Sequence, residues 1–121
     1  MFERLKDRVN GNPALLRRGK TCSTRFLLEM GEESYLVDIR EGRIEAVTKG
    51  PFNMTSWTFA LRAPRDAWTE FFKPIPRPGY QDILGLAKRK LLRIEGNLHP
   101  FMAHLLYFKE ALASLRPEAR A

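Results

Sequence analysis

The chain has 121 residues, 44% of them hydrophobic, a formal charge of +7 and a single cysteine, Cys22. Those figures exclude a disordered chain, an intrachain disulfide and a cysteine-based metal cluster, and favour one domain over residues 1–121 with one buried core. No apolar run approaches the roughly 20 residues that span a bilayer, and the charged N-terminus is no secretory leader, so a reducing, cytoplasmic setting is expected.

Phe2, Leu5 and Val9 step by three and four, which predicts a short amphipathic helix stopped by the "NGNP" of residues 10–13. Alternation then sets in. Phe26, Leu28 and Met30 share one strand face, and Tyr35, Val37 and Ile39 share the next. Glycine turns at "GEE" (31–33) and "EG" (41–42) join these strands to a third, in which Ile44 and Ala46 face one side and Glu45 and Val47 the other. "SWTFALR" (56–62) resumes the pattern with Trp57, Phe59 and Leu61 on one face. Each strand thus has one apolar face, as in a sheet covered on one side.

The period changes at "APRDAWTEFF" (63–72), where Pro64 opens a helix and Trp68, Phe71 and Phe72 form its apolar face. Prolines 74, 76 and 78 then force an extended bend. A second short helix carries Ile83, Leu84 and Leu86, and "LLRIEG" (91–96) is a fifth strand with Leu92 and Ile94 on one face. Asn97 is a good cap for a long C-terminal helix in which Phe101, Leu105, Phe108, Leu112 and Leu115 form a stripe that Leu98, Met102 and Leu106 widen. The predicted class is α+β, an about five-stranded, mainly antiparallel sheet covered on one face by helices.

Convergent catalytic groups are missing. His99 and His104 lie five apart, about 140° around a helix, and so cannot share a metal. No serine sits in a nucleophile elbow, and no glycine-rich phosphate loop precedes a helix. Cys22 reads as a small buried hydrophobe. No enzyme activity, cofactor or metal is expected.

The basic excess favours acidic partners: nucleic acid, an anionic membrane surface or an acidic protein. Nucleic acid is not expected, because no run reaches five or six like charges and the aromatic and cationic residues segregate to opposite faces. Lys88, Arg89 and Lys90 end the short helix before the last strand, where cations suit the helix C-terminus. They read as a solvated helix end or as a basic rim that meets anionic lipid headgroups.

The order of elements resembles the sterol carrier protein 2 family over roughly residues 24–115. Four stretches carry the likeness: "YLVDIREGRIEAVTKG", "WTFALRAPRDAWTEFF", "KLLRIEGN" and "LHPFMAHLLYFKEAL". Asn97 stands where the family usually has aspartate, and "KPIPRPGY" where members often have a shorter loop. The resemblance implies a cavity for a fatty acyl chain, sterol-like lipid or quinone, bound and transferred without chemistry.

The expected lining comes from the sheet (Phe26, Val37, Ile39, Trp57 and Phe59), from the first helix after it (Trp68, Phe71 and Phe72) and from the later helices (Leu84, Phe101, Met102 and Leu105), with Trp68 and Phe72 as gates. The rival reading is a ligand-free scaffold or protein-interaction module, a homodimer or an accessory subunit among its forms. Periodicity alone does not separate a lined cavity from a filled core.

Overall fold

The computed structural model describes residues 2–52 and 55–117. A turn of 3₁₀ helix, Phe2–Arg4, leads into α1 (Leu5–Asn10), and α2 (Pro13–Arg18) follows. The strands are β1 (Thr24–Met30), β2 (Glu33–Arg40), β3 (Arg43–Lys49), β4 (Phe59–Ala63) and β5 (Arg93–Gly96). Helices α3 (Arg65–Phe71) and α4 (Ile83–Lys88) lie between β4 and β5, and α5 (His99–Ala103) and α6 (Leu105–Ala113) close the chain.

The five strands form one sheet in the order β3-β2-β1-β4-β5. Every neighbouring pair is antiparallel except β1 and β4, which run parallel with Phe26 opposite Phe59. The β2–β3 hairpin closes through Glu41 and Gly42, at φ of 50° and 82°, the left-handed pair that the strand twist favours. A Cβ on Gly42 would also lie 2.7 Å from the Gly19 carbonyl oxygen. At this position only glycine fits both the backbone and the neighbour.

Phe26, Leu28, Met30, Tyr35, Val37, Ile39, Phe59 and Leu61 face the helices and are buried with them in one core. Leu27, Leu36 and Ala60 form a small cluster on the other face. Two expectations change here. A bulge between Asp38 and Ile39 sets Ile39 against Ile44 and Val37 against Val47. The extra residue reverses the alternation, so Val47, not Ala46, joins Ile44 against the core. Nor does "SWTFALR" resume an antiparallel meander: its strand begins only at Phe59. Because β4 is parallel to β1, the chain must cross over the sheet to reach it. That crossover lays Phe52 and Trp57 on the helix-free face, against Leu27, Leu36 and Ala60.

The helices show three further departures from the sequence reading. "NGNP" ends α1 but also starts α2, since the Asn12 side chain accepts from the amides of Ala14 (3.1 Å) and Leu15 (3.3 Å) with Pro13 at the first helical position. The C-terminal helix is broken at His104, whose backbone leaves the helical region at φ −123° and ψ 36°. Asn97 caps from one place further out than expected, accepting from the His99 amide at 3.1 Å behind an N-cap at Leu98.

Packing ties the N-terminus to the sheet edge. Phe2, Leu5 and Val9 are buried, as their spacing predicts. The Asn10 side chain exchanges two hydrogen bonds of 2.9 Å with the Ile44 backbone, satisfying groups that the edge strand β3 would otherwise expose.

Candidate functional site

The layer between sheet and helices holds two groups of aromatic rings. The first is built on β1, β4, α5 and α6. Phe26 stacks on Phe59 at 5.0 Å between centroids, and Phe108 meets both edge-on at 5.3 and 5.4 Å. Phe101 closes the group at 5.5 Å from Phe59 and 5.6 Å from Phe108. The second group is built on the N-terminal turn, β2 and α3. Phe2 lies edge-on to Tyr35 and Trp68, both at 5.2 Å, and Phe71 and Phe72 surround the indole at 5.8 and 5.7 Å. These separations suit attractive aromatic pairs.

Polar handles divide the two groups. Trp68 Nε1 donates to the Glu29 carbonyl at 2.8 Å, and the Tyr35 hydroxyl donates to Glu33 Oε2 at 2.8 Å with Glu3 Oε1 at 3.3 Å. Burial, and then the two neighbouring carboxylates, raise the Tyr35 pKa above the ordinary phenol value. In the first group the four phenylalanines carry no polar side-chain atom. Next to them, the buried Tyr107 hydroxyl donates to the Gly42 carbonyl at 2.6 Å. His104 Nδ1 lies 3.2 Å from the Pro100 carbonyl, which can only accept, so in the neutral ring Nε2 accepts from the Thr21 hydroxyl at 3.0 Å. Both contacts hold α6. On α5 the sole buried side chain is Phe101.

Most of the expected lining residues do meet in this layer. Phe26, Val37, Ile39, Phe59, Trp68, Phe71, Phe72 and Phe101 are buried in it, and Leu84 and Leu105 pack half-buried against it. Two residues fall elsewhere. Trp57 lies on the opposite face because it belongs to the crossover, where Arg62 stands 5.5 Å from its ring. Met102 is 55% exposed because the break at His104 turns its side of α5 to solvent. Lys88, Arg89 and Lys90 are exposed, with Lys90 in the left-handed region at φ 62°. The fixed indole also runs against a gating role for Trp68.

Phe59, Trp68 and Phe101 are 0% exposed, so no void large enough for a water molecule borders them. The layer is closed by its own side chains, and an apolar guest would have to part them. Clefts open at its margin. One of about 590 Å³ is lined by Arg65, Asp66, Thr69, Glu70, Lys73 and Arg77. Another, of about 250 Å³, runs between α4 and α6 past Phe71, Ile83 and Leu106.

Phe2, Tyr35, Leu61 and Tyr107 belong to the layer in addition to the expected lining. Leu61 could have been found from its alternation with Phe59; Tyr107 could not, because its contact with Gly42 spans 65 positions. Cys22 is buried, and burial pushes its thiol up to about 11, as befits an inert side chain. Among the described residues no group of His, Cys, Asp and Glu could hold a metal, and no helix is long and apolar enough to cross a membrane.

No family model and no curated protein match the chain. Solved structures do. A crystal structure of sterol carrier protein 2 superposes with a TM-score of 0.75 at 15% identity, over 95% of this chain and 92% of that one. A conserved hypothetical protein of Thermus thermophilus, for which a sterol carrier assignment has been suggested, gives 0.68 at 13% identity over 98% and 87%. The palmitated SCP2L2 of Aedes aegypti gives 0.57 at 16% identity over 99% and 95%. At these identities the likeness is one of architecture, and it extends over both layers: the chain has the sterol carrier protein 2 fold.

Proposed function

We propose that this protein binds a lipid-like molecule (a fatty acyl chain, a sterol-like lipid or a quinone) in the layer between sheet and helices, and hands it on without chemical change. The observation that carries the reading is the first ring group: four phenylalanines with no polar side-chain atom, covered by a five-residue helix whose only buried side chain is Phe101. The fold is shared with proteins named for sterol carriage, one of which was solved palmitated. Displacement of α5, with α6 held by Tyr107 and His104, would open a slot onto Phe59 and Phe108.

The energetics allow it. Burial of about ten methylenes contributes about 8 kcal/mol, comparable to an association cost of roughly 4–15 kcal/mol. A quinone or sterol would gain in addition from ring contacts with the phenylalanines.

Organic extraction of the purified protein followed by mass spectrometry should yield a co-purified lipid. A fluorescent fatty acid should bind saturably and be displaced by palmitate, and Phe101→Ala should speed its uptake. No extractable lipid, together with no saturable binding by parent or variant, removes the proposal.

A second reading has its own observation. Leu98, Met102 and Leu106 stand 37%, 55% and 50% exposed along α5 and α6, an apolar ridge that suits a homodimer or a partner subunit. A dimer that buries more than roughly 1,000 Å² there, and that dissociates on Met102→Lys with Leu106→Lys, would favour the scaffold role.

A further inference from the structure

The segment between α3 and α4 reads in the sequence as no more than an extended bend. In the fold it presents Ile75 at 81% exposure between Lys73 and Arg77, with prolines at 74, 76 and 78. The bend is held at its base. Glu70, the one buried charged residue among those described, binds Lys73 Nζ at 2.9 Å, Arg77 Nε at 3.0 Å and the Arg77 amide at 3.2 Å. One carboxylate thus staples both sides of a short loop and leaves the isoleucine at its apex. The prolines lock φ and withhold amide donors, so the loop meets a partner with little ordering still to lose.

A second set of contacts ties this loop to the end of α4. The guanidinium carbons of Arg77 and Arg89 lie 4.8 and 5.4 Å from the Tyr80 ring centroid. Arg89 Nη2 also donates to the Pro78 carbonyl at 3.2 Å. Lys88 and Lys90, flanking Arg89, are exposed. Residues 73–93 hold six cations and one acid. That acid, Asp82, pairs with Lys109 at 2.8 Å and caps α4. Glu70, already paired, and Asp66 line one cleft with Lys73 and Arg77. Residues 73–93 therefore carry a net +5 of the chain's +7, and the Arg77–Tyr80–Arg89 contacts join the loop that presents Ile75 to the cationic end of α4.

We infer that this face docks on an anionic phospholipid bilayer. Ile75 enters the headgroup–acyl boundary, and Lys73, Arg77, Lys88, Arg89 and Lys90 meet the lipid phosphates and carboxylates. An aliphatic tip on a loop tied to a cationic helix end fits the layered chemistry of that interface: apolar just below, negative at the surface. Nucleic acid fits less well. Binding of single strands uses free aromatic faces, and here the ring of Tyr80 already carries two guanidinium groups. The docking does not depend on whether the interior takes a ligand.

Flotation of the full chain with vesicles at 0.1 M salt tests this. The parent should bind vesicles of 70% phosphatidylcholine and 30% phosphatidylserine and not vesicles of phosphatidylcholine alone. Ile75→Asp should weaken binding roughly tenfold, since it trades apolar burial for a repelled charge, and Lys88→Glu with Lys90→Glu should do the same or more. Both variants alter exposed side chains, and an unchanged thermal melt verifies the fold. A solvatochromic dye attached through Ile75→Cys, with the buried Cys22 unlabelled, should shift to the blue on the anionic vesicles. Overturning results are equal binding by parent and Ile75→Asp, no dye shift, equal affinity for neutral vesicles, or tighter retention on DNA than on the anionic vesicles.

Discussion

The two aromatic groups lie on the same sheet face and have similar ring separations, yet they are held differently. Around Trp68 every polar atom is engaged: the indole N–H on the Glu29 carbonyl and the Tyr35 hydroxyl on Glu33. Directional bonds fix those rings in one arrangement. Around Phe59 and Phe108 only dispersion and exclusion of water act, and both are indifferent to which apolar atoms supply them. The first arrangement suits a permanent core. The second suits a place where an acyl chain could replace a side chain, since the exchange leaves no buried donor or acceptor without a partner.

Truncations on the two sides should separate these roles most strongly. Trp68→Ala removes contacts to Phe2, Phe71 and Phe72 and leaves the Glu29 carbonyl without its donor, a loss near the top of the roughly 3–5 kcal/mol range for large aromatic deletions. Phe101→Ala should fall near the bottom of that range, because α5 can settle into the space. Urea unfolding measures both. If Phe101→Ala proves the costlier, the distinction between a fixed group and a yielding one is lost.

The anchor of α6 comes next in size. Tyr107→Phe keeps the ring but strips the buried Gly42 carbonyl of its donor, a cost of about 1–3 kcal/mol. A Cβ at Gly19 would lie 2.4 Å from Tyr107 Cε1, so Gly19→Ala should destabilise by a similar or larger amount through the same contact. The two losses should not add in the double variant, because each disturbs one shared wedge. Additive losses would mean that Gly19 acts elsewhere.

The strand faces are legible in the sequence because a half-buried sheet imposes a period of two on everything it covers. That period places Phe26, Val37, Ile39 and Phe59. The exceptions arise where the chain count or direction changes. The extra residue at the β2–β3 bulge shifts Val47 inward. The parallel pairing of β1 with β4 sends Trp57 over the other face, and a local pattern cannot announce a parallel partner. Met102 escapes for a similar reason, since heptad spacing reads straight through a break such as that at His104. Glu70 leaves no local signal, because its partners Lys73 and Arg77 look in the sequence like ordinary solvated charges.

The smallest effect concerns the basic face, and pH separates it from the ring group around Phe59, whose phenylalanines carry no polar side-chain atom. Hydrogen bonding to Lys73, the Arg77 amide and the charge of the two cations hold the Glu70 carboxyl below its ordinary value of 4.5. The side chain lies near the surface, shielded by its own partners, so paired cations rather than depth cause the shift. A carboxyl whose folded pKa is depressed stabilises the fold at pH values above its unfolded pKa, and that contribution is lost as pH falls through the folded value. The loop should therefore be fully stapled at neutral pH and loosen as the solution is acidified below 4.5, while the rings around Phe59 keep their packing. The Arg77 amide reports this directly, since it donates to Glu70 Oε2. Its proton chemical shift should titrate with a midpoint below 4.5. Glu70→Gln should abolish the titration and lower the amide's protection from exchange at neutral pH. A midpoint at or above 4.5, or protection unchanged by the substitution, would show that the prolines alone hold Ile75 in place and that the carboxylate only neutralises the charge at the loop's base.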